Sequence, residues 1–432
     1  MELKNKVQIL DSDSNVYSII EKITQCRDQE DPFYICDLSR IIWLYKNWKK
    51  FMPRVKIFYA IKCNDYKAVL ETLAAIGVGF DCASKEEIRK IISLGVPPER
   101  IIFANPAKIN SHIQYAAKTG VKVMTFDNES ELYKVKKFHR AAELLLRIRY
   151  DDVSATFILG KKFGANPDIE SWNLLRTAKS LDINVRGVAF HVGSNCKNHI
   201  IYRQAIAAAK KVFDMAEKFA YKFTILDIGG GYPGNSSESL EEIAKYVNQA
   251  IDEYFPDDTV QIIAEPGRYM VNTAFKLVTQ INSKNIVNVD EQKIRMYYVD
   301  VSIYNSLIST IFHDHYDCKA VNNVGNKVYP SILWGATQDT NDRISPTYYY
   351  LPDSNIGDWL IFEETGSYSL SRCCGYNGFP VPNVCAVIKK NDWLMLKNQI
   401  TNPSSLNNFE LCEPMSSILE ETIKSCTLTR YF

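Results

Sequence analysis

The chain has 432 residues, 46% hydrophobic and 23% charged, with a formal net charge of +1. That length supports two sizeable cores, and so ordinary a composition excludes a disordered, collagenous or coiled-coil chain. A charge this close to zero gives no electrostatic case for nucleic acid or an anionic membrane as the main partner.

The opening residues, MELKNKVQILDSDSN, lack the apolar core of a signal peptide, and no apolar run approaches the ~18 residues of a membrane span. Eleven cysteines, an odd number with no CxxC pair, scatter along the chain. They point to reduced thiols in a cytosolic protein, with neither a disulfide framework nor a zinc site. His313-Asp314-His315 is the only close histidine pair and has no third ligand nearby, so no metal is expected.

From residue 56 onward, short β-rich runs recur: KIFYAIK (56–62), VGFDCAS (78–84), RIIFANP (100–106), VKVMTFD (121–127), LLLRIR (144–149), VRGVAFHVG (185–193), FTILDIGGG (223–231) and VQIIAEPG (260–267). Between them, YKAVLETLAAIG, KEEIRKIISLG and NESELYKVKKFHR have helical periodicity. Ser84 and Glu87 spell a capping box, and Asp127-Asn128 announces another helix. Eight β/α units over about 220 residues predict a (β/α)8 barrel. An open doubly wound sheet fits less well, because the glycine-rich segment falls at the seventh strand and lacks the GxGxxG spacing. After residue 275 the texture becomes strand-like and rich in Tyr and Trp: TAFKLVTQI, RMYYVDVSIY, VYPSILWGA, WLIFEETG and VPNVCAVIK. The predicted organisation is an α/β barrel over 38–275 and a mainly β second domain built from 1–37 and 276–432.

In such a barrel, chemistry sits at the C-terminal ends of the strands. Those ends carry Lys62, Asp81, His191 followed by Gly193-Ser194, Asp227 followed by Gly229-Gly230-Gly231, and Glu265 followed by Gly267-Arg268. Each alone has a structural explanation. Lys62 can snorkel, Asp81 can cap a helix, His191 can be a core histidine, and Glu265 can pair with Arg268. Together they suit a phosphate-bearing aldehyde cofactor. Glycine-loop N–H groups, a serine and an arginine bind a phosphate dianion. A carboxylate can keep a pyridine nitrogen protonated, a histidine can stack on the ring, and a lysine can form a Schiff base with the aldehyde. The cofactor implied is pyridoxal 5′-phosphate (PLP).

At these residues the sequence closely resembles the ornithine decarboxylase family, PLP enzymes with an alanine-racemase-like barrel and a β domain. The matching motifs are FYAIKCN, GFDCASKEEI, LGVPPERIIFANPAK, KFGA, FHVGS, LDIGGGYPG, AEPGRYMV and GDWLIFEETGSY, spanning about residues 30–385. The resemblance implies that Lys62 is the Schiff-base lysine, His191 the stacking histidine and Glu265 the partner of the pyridine nitrogen. It matches Ser194, the glycine loop with Gly230 and Gly231, Gly267, Arg268 and Tyr368 to phosphate ligands, and Asp81 and Glu87 to carboxylates near the cofactor and the lysine. It further implies a cytoplasmic head-to-tail homodimer with shared active sites. The expected activity is amino-acid decarboxylation of the type that turns ornithine into putrescine in polyamine biosynthesis.

Three positions depart from the family pattern. Gln338, in WGATQD, stands where the family has a cysteine that reaches across the dimer; Asp339 beside it is retained as a substrate-binding residue. Val301 stands where the family has an aspartate for the distal amine of ornithine, with Asp300 one residue early. Ile158 matches an arginine beside the cofactor. A glutamine amide cannot replace a thiol as general acid, so Lys62 or water must return the proton to the substrate carbon. Val301 and Ser302 make the pocket less acidic and open it to a longer or less charged amino acid. The alternative is a catalytically silent homologue of the antizyme-inhibitor kind, binding antizyme through the basic segment 118–140.

Overall fold

The computed structural model describes residues 7–399 apart from 12–13, 153–154, 156, 197, 236–239, 290, 313–314 and 322–326. His313 therefore lies outside the described residues. Two strands come first, β1 (Val7–Leu10) and β2 (Phe33–Asp37). The next eight are β3 (Val55–Ala60), β4 (Gly79–Cys82), β5 (Ile101–Phe103), β6 (Val123–Phe126), β7 (Glu143–Arg147), β8 (Asn184–Ala189), β9 (Ile225–Asp227) and β10 (Gln261–Ala264). These eight close into a barrel, and every neighbouring pair is parallel, including β10 with β3. The expected (β/α)8 barrel is present, with each of the eight runs contributing one strand.

Because parallel barrel strands are covered on both faces, they read as continuous apolar runs and not as alternation. Ile102, Leu145, Ala189, Ile225 and Ile263 pack together, with Phe58, Ala104 and Val123 against them. The helices between the strands follow the capping signals. Ser84 caps Lys85–Ser93 by accepting the Glu87 N–H at 3.2 Å, and Asn128 caps Glu129–Phe138 by accepting the Glu131 N–H at 3.1 Å. Glu87 reaches back to the Ala83 N–H at 2.5 Å, one residue beyond the N–H that a capping box uses.

The strands are shorter than the sequence suggests. KIFYAIK ends as a strand at Ala60, and Ile61–Cys63 form a 3-10 turn. Lys62 therefore sits on a turn past the strand end, not on the strand. His191 likewise lies beyond β8, and Gly229–Gly231 lie beyond β9.

The remaining strands are β11 (Phe275–Val289), β12 (Gln292–Val299), β13 (Cys318–Ala320), β14 (Val328–Trp334), β15 (Tyr349–Pro352), β16 (Trp359–Phe362) and β17 (Asn383–Lys389). With β1 and β2 they form a nine-stranded mixed sheet in the order β1-β17-β2-β11-β12-β14-β15, with β16 pairing β11 and β13. Its core includes Leu10, Ile20, Phe33, Ile35, Val278 and Trp359, and the helix Val16–Thr24 contributes Ile19 and Ile20.

By contacts the chain divides into two compact units. The barrel unit is Trp43–Lys62 with Leu73–Met270; the sheet unit takes the described residues up to Ile42, Cys63–Thr72, and those from Val271 onward. Cys63–Thr72 belongs to the sheet unit because its polar atoms are answered there. Cys63 O accepts from the Tyr368 N–H at 2.8 Å and the Ser371 hydroxyl at 3.1 Å, and Asn64 Nδ2 donates to Gly366 O at 2.8 Å.

Candidate active site

Within the barrel unit, the predicted residues gather where the strands end. Lys62 Nζ lies 2.6 Å from Asp81 Oδ2; the lysine side chain is 43% exposed and the carboxylate fully buried. Asp81 belongs to β4, so the ion pair ties the turn after β3 to the neighbouring strand of the barrel. Asp81 Oδ1 has no partner.

His191 is packed on the glycine loop. Its Nδ1 accepts the Gly193 N–H at 3.1 Å, which leaves the ring proton of a neutral imidazole on Nε2. Burial pushes its pKa well below the ordinary value, and the positive charges of Arg147 and Lys62 push the same way. The ring is therefore neutral.

The loop admits only glycine. A methyl group at Gly230 would lie 2.8 Å from His191 Nε2 and 2.9 Å from Glu265 O. At Gly229, with φ +64°, it would lie 2.1 Å from Phe190 O. Tyr202 fixes the loop from beneath by donating its hydroxyl to Gly230 O at 3.0 Å.

Glu265, 8% exposed, follows β10, and its N–H donates to Gly229 O at 2.7 Å. Its Oε1 is buried with no partner. Asp227, 1% exposed, ends β9 and accepts the Gly229 N–H at 2.9 Å. Gly267 precedes the short helix Arg268–Val271, and its carbonyl accepts the Met270 N–H at 3.0 Å. Ser194 donates its N–H to Phe157 O at 3.1 Å. Ile158 adds no charge next to it.

The residues of this mouth fit PLP on two counts. Glu265 Oε1 is a buried acceptor lacking a donor, as a pyridinium N–H would supply. A half-exposed primary amine beside it in the mouth is held by a buried carboxylate. Sequence reasoning passed over Arg147, the last residue of β7, whose charge acts on His191 and Asp227. Its position at a strand end was the available signal, but LLLRIR reads as a core run.

Val301, Gln338, Asp339 and Tyr368 lie in the sheet unit. Val301 is fully buried, and its carbonyl accepts the Ala336 N–H at 2.9 Å. Asp300 points elsewhere. Its carboxylate accepts from the Thr279 hydroxyl and, at 3.2 Å, from the Gln280 N–H. Burial raises its pKa to about 6. Asp339 accepts from the Tyr304 hydroxyl and from the Asn341 N–H at 2.9 Å; these donors hold its pKa below the usual range. Gln338 is exposed, with its N–H on Asn377 Oδ1 at 3.2 Å. Tyr368 has a left-handed backbone, φ 55°, an uncommon state for a non-glycine residue that is often found at ligand sites.

Residues 38–272 match the family model described as "Pyridoxal-dependent decarboxylase, pyridoxal binding domain". Ornithine decarboxylase of Rattus norvegicus is 45% identical over 387 residues, covering 86% of this chain and 83% of that protein. Antizyme inhibitor 2 of Xenopus laevis is 42% identical over 432 residues, covering 96% of this chain and 93% of that protein. Among solved structures, Paramecium bursaria Chlorella virus arginine decarboxylase bound to agmatine superposes with a TM-score of 0.82 at 37% identity, covering 86% of this chain and 100% of that one. With the barrel, its lysine–carboxylate pair and these similarities together, the chain belongs to the ornithine decarboxylase family of PLP-dependent decarboxylases.

Proposed function

We propose that the chain is a working amino-acid decarboxylase whose specificity has moved away from ornithine, toward an amino acid with a longer or less charged side chain. The observation that carries this reading is the handling of the carboxylate at 300–301. Val301 is buried and apolar, and Asp300 is turned into its own hydrogen bonds with Thr279 and Gln280. Asp300 and Val301 lie just past the end of β12, and the Asp300 carboxylate is spent on Thr279 and Gln280, so Asp300 does not replace an aspartate at 301. Asp339 is the remaining carboxylate of the predicted substrate set. It is already engaged by Tyr304 and Asn341.

Bound PLP supplies an electron sink for the electron pair released when CO2 leaves. The chain's own residues do the rest. In this reading Lys62, held by Asp81, anchors the cofactor aldehyde; the neutral His191 faces the ring; and Glu265 faces the ring nitrogen. The loop Gly229–Gly231, Ser194, Gly267 and Arg268 would hold the phosphate, and Glu87 would support the carboxylate side of the mouth. The carboxamide of Gln338 holds no transferable proton, so the Nζ of Lys62 or a water returns the proton to the substrate carbon. A head-to-tail homodimer, as the family resemblance implies, would bring Gln338 and Asp339 of one protomer to the barrel of its partner.

The test is direct. The purified protein should be yellow from lysine-bound PLP and should release CO2 fastest from an amino acid other than ornithine in a panel. A colourless protein that PLP does not stabilise would sink the enzyme reading, and ornithine as the best substrate would sink the altered specificity.

The similarity to Xenopus antizyme inhibitor 2 supports a second reading, in which the chain binds antizyme. The segment 118–140 exposes Lys118, Lys122, Lys137 and Arg140. Lys134 pairs with the buried Glu131, and Lys136 lies 3.8 Å from Asp182. Binding of purified antizyme, with these four exposed cations changed to Ala as the comparison, separates this reading from simple decarboxylation.

A further inference from the structure

Past the end of β7, the chain runs on beside the loop that carries His191 and Ser194. The Ile148 N–H donates to Ala189 O at 2.8 Å, the Asp152 N–H to Val192 O at 2.8 Å, and the Ser194 N–H to Phe157 O at 3.1 Å. The packing is as close as the bonding. A methyl group at Gly193 would lie 2.6 Å from Ala155 Cβ and 3.0 Å from Phe157 O. Ile158 belongs to the same segment, so that position brings no cation to the mouth.

Within this segment Asp152 is buried, 2% exposed. Its Oδ2 accepts both the Cys196 thiol at 2.9 Å and the Asn198 N–H at 3.2 Å. A thiol is a weak donor, and an ionised carboxylate makes the stronger, charge-assisted bond with it. Burial pushes the Cys196 thiol up, and Asp152 pushes the same way, so the thiol keeps its proton. Two lines of bonds lead on from this carboxylate to the glycine loop. In the first, the Cys196 N–H donates to Gly231 O at 3.2 Å. In the second, Asn198 O accepts the Ile201 N–H at 3.2 Å, at the start of the helix Ile200–Glu217. Tyr202 of that helix donates its hydroxyl to Gly230 O at 3.0 Å.

We propose that Asp152 is a positioning residue for the cofactor phosphate: through Cys196 and Asn198 it holds the Ser194 loop against Gly229–Gly231, so that both loops close on one phosphate group. Loops fixed before binding lose less freedom when they grip a ligand, which is the gain such a strut supplies. Asp152 acts through the backbone of other residues, since a carboxylate in direct contact would repel the dianion. The inference rests on the reading of Ser194 and the glycine loop as phosphate ligands. A carboxylate with a packing role alone would support every ligand of the mouth equally; this one acts on the phosphate end.

The experiment compares PLP with pyridoxal, which has the same aldehyde and ring but no phosphate, as ligands of the full-length protein. The protein is stripped of PLP with hydroxylamine, and the visible absorbance of the lysine-bound aldehyde gives the affinity for each ligand. Asp152→Ala should weaken PLP binding about tenfold or more and change pyridoxal binding by less than about twofold, the scale of a lost hydrogen bond to a charged group. Cys196→Ala removes one of the two donors and should weaken PLP binding by about threefold or more with the same selectivity. Cys196→Ser keeps a donor for Asp152 and should bind PLP as the unchanged protein does. An equal loss for both ligands, no loss of PLP affinity, or the same loss in Cys196→Ser as in Cys196→Ala overturns the proposal. If Asp152→Ala does not fold, Cys196→Ala against Cys196→Ser decides by the same criterion. An unchanged protein that takes up neither ligand, or pyridoxal as tightly as PLP, overturns the reading of the phosphate site and this proposal with it.

Discussion

Lys62 and Asp81 form a 2.6 Å ion pair in which the carboxylate is fully buried while the amine stays 43% exposed. The amine is held in place yet remains open to the solvent side, as the proposed reaction with an incoming aldehyde would require. Lys62→Ala should abolish the visible absorbance of lysine-bound PLP. It should also lower stability by about 1–3 kcal/mol, because Asp81 is left buried without its cation; the half-exposed lysine keeps the loss below that of a fully buried pair. Lys62→Ala with Asp81→Asn should recover most of that stability without recovering the absorbance. Chemical denaturation and a spectrum of each variant check both parts.

Gly230 tests the loop. An alanine methyl would press on His191 Nε2 at 2.8 Å and on the Glu265 carbonyl at 2.9 Å. The imidazole can tilt, but the backbone carbonyl cannot withdraw without moving the residue that follows β10. Gly230→Ala should cost about 1–3 kcal/mol of stability and weaken PLP binding. Gly229→Ala should be worse, since φ +64° and a 2.1 Å approach to Phe190 O act together. PLP titration monitored by absorbance ranks the two.

Asp300 makes stability depend on pH in a stated direction. Burial raises its pKa from 3.8 to about 6, so between those values the folded protein binds more protons than the unfolded chain. Stability from this group is therefore present at low pH and is lost as pH rises through about 6. Asp300→Asn lacks that dependence. Relative to the unchanged protein it should gain up to about 3 kcal/mol between pH 4 and pH 7. Urea denaturation of both proteins across that range measures the difference.

The barrel was legible because strands covered on both faces are unbroken apolar runs, and all eight of those runs became strands. Their ends were less legible. In FYAIKCN the apolar pattern continues through Ile61, but Ile61–Cys63 form a 3-10 turn, after which Cys63 O accepts from Tyr368 and Ser371 and Asn64 donates to Gly366 O. β13 and β15 escaped notice because Cys318–Ala320 and Tyr349–Pro352 are short and become strands only by pairing with β16 and β14. Among site residues, those that announce themselves at a strand end were visible. Arg147 was not, since it ends β7 inside LLLRIR, which reads as a core run.

Changes at the two positions proposed to set ornithine turnover should separate kinetically. Gln338 is exposed on its loop, so Gln338→Cys costs little stability and restores a group able to deliver a proton. Its effect on ornithine turnover should appear in kcat. Val301 is fully buried, so Val301→Asp introduces a carboxylate with no cation beside it and should destabilise the protein by several kcal/mol, roughly 3–5. A substrate carrying a distal ammonium would relieve that penalty, which an uncharged amino acid cannot do. The variant should therefore gain thermal stability on adding ornithine and show a lower KM for it. The double variant should combine the two effects and exceed either single variant in ornithine kcat/KM. Equal ornithine activity in the unchanged and doubly changed proteins would show that specificity is set elsewhere than at Val301 and Gln338.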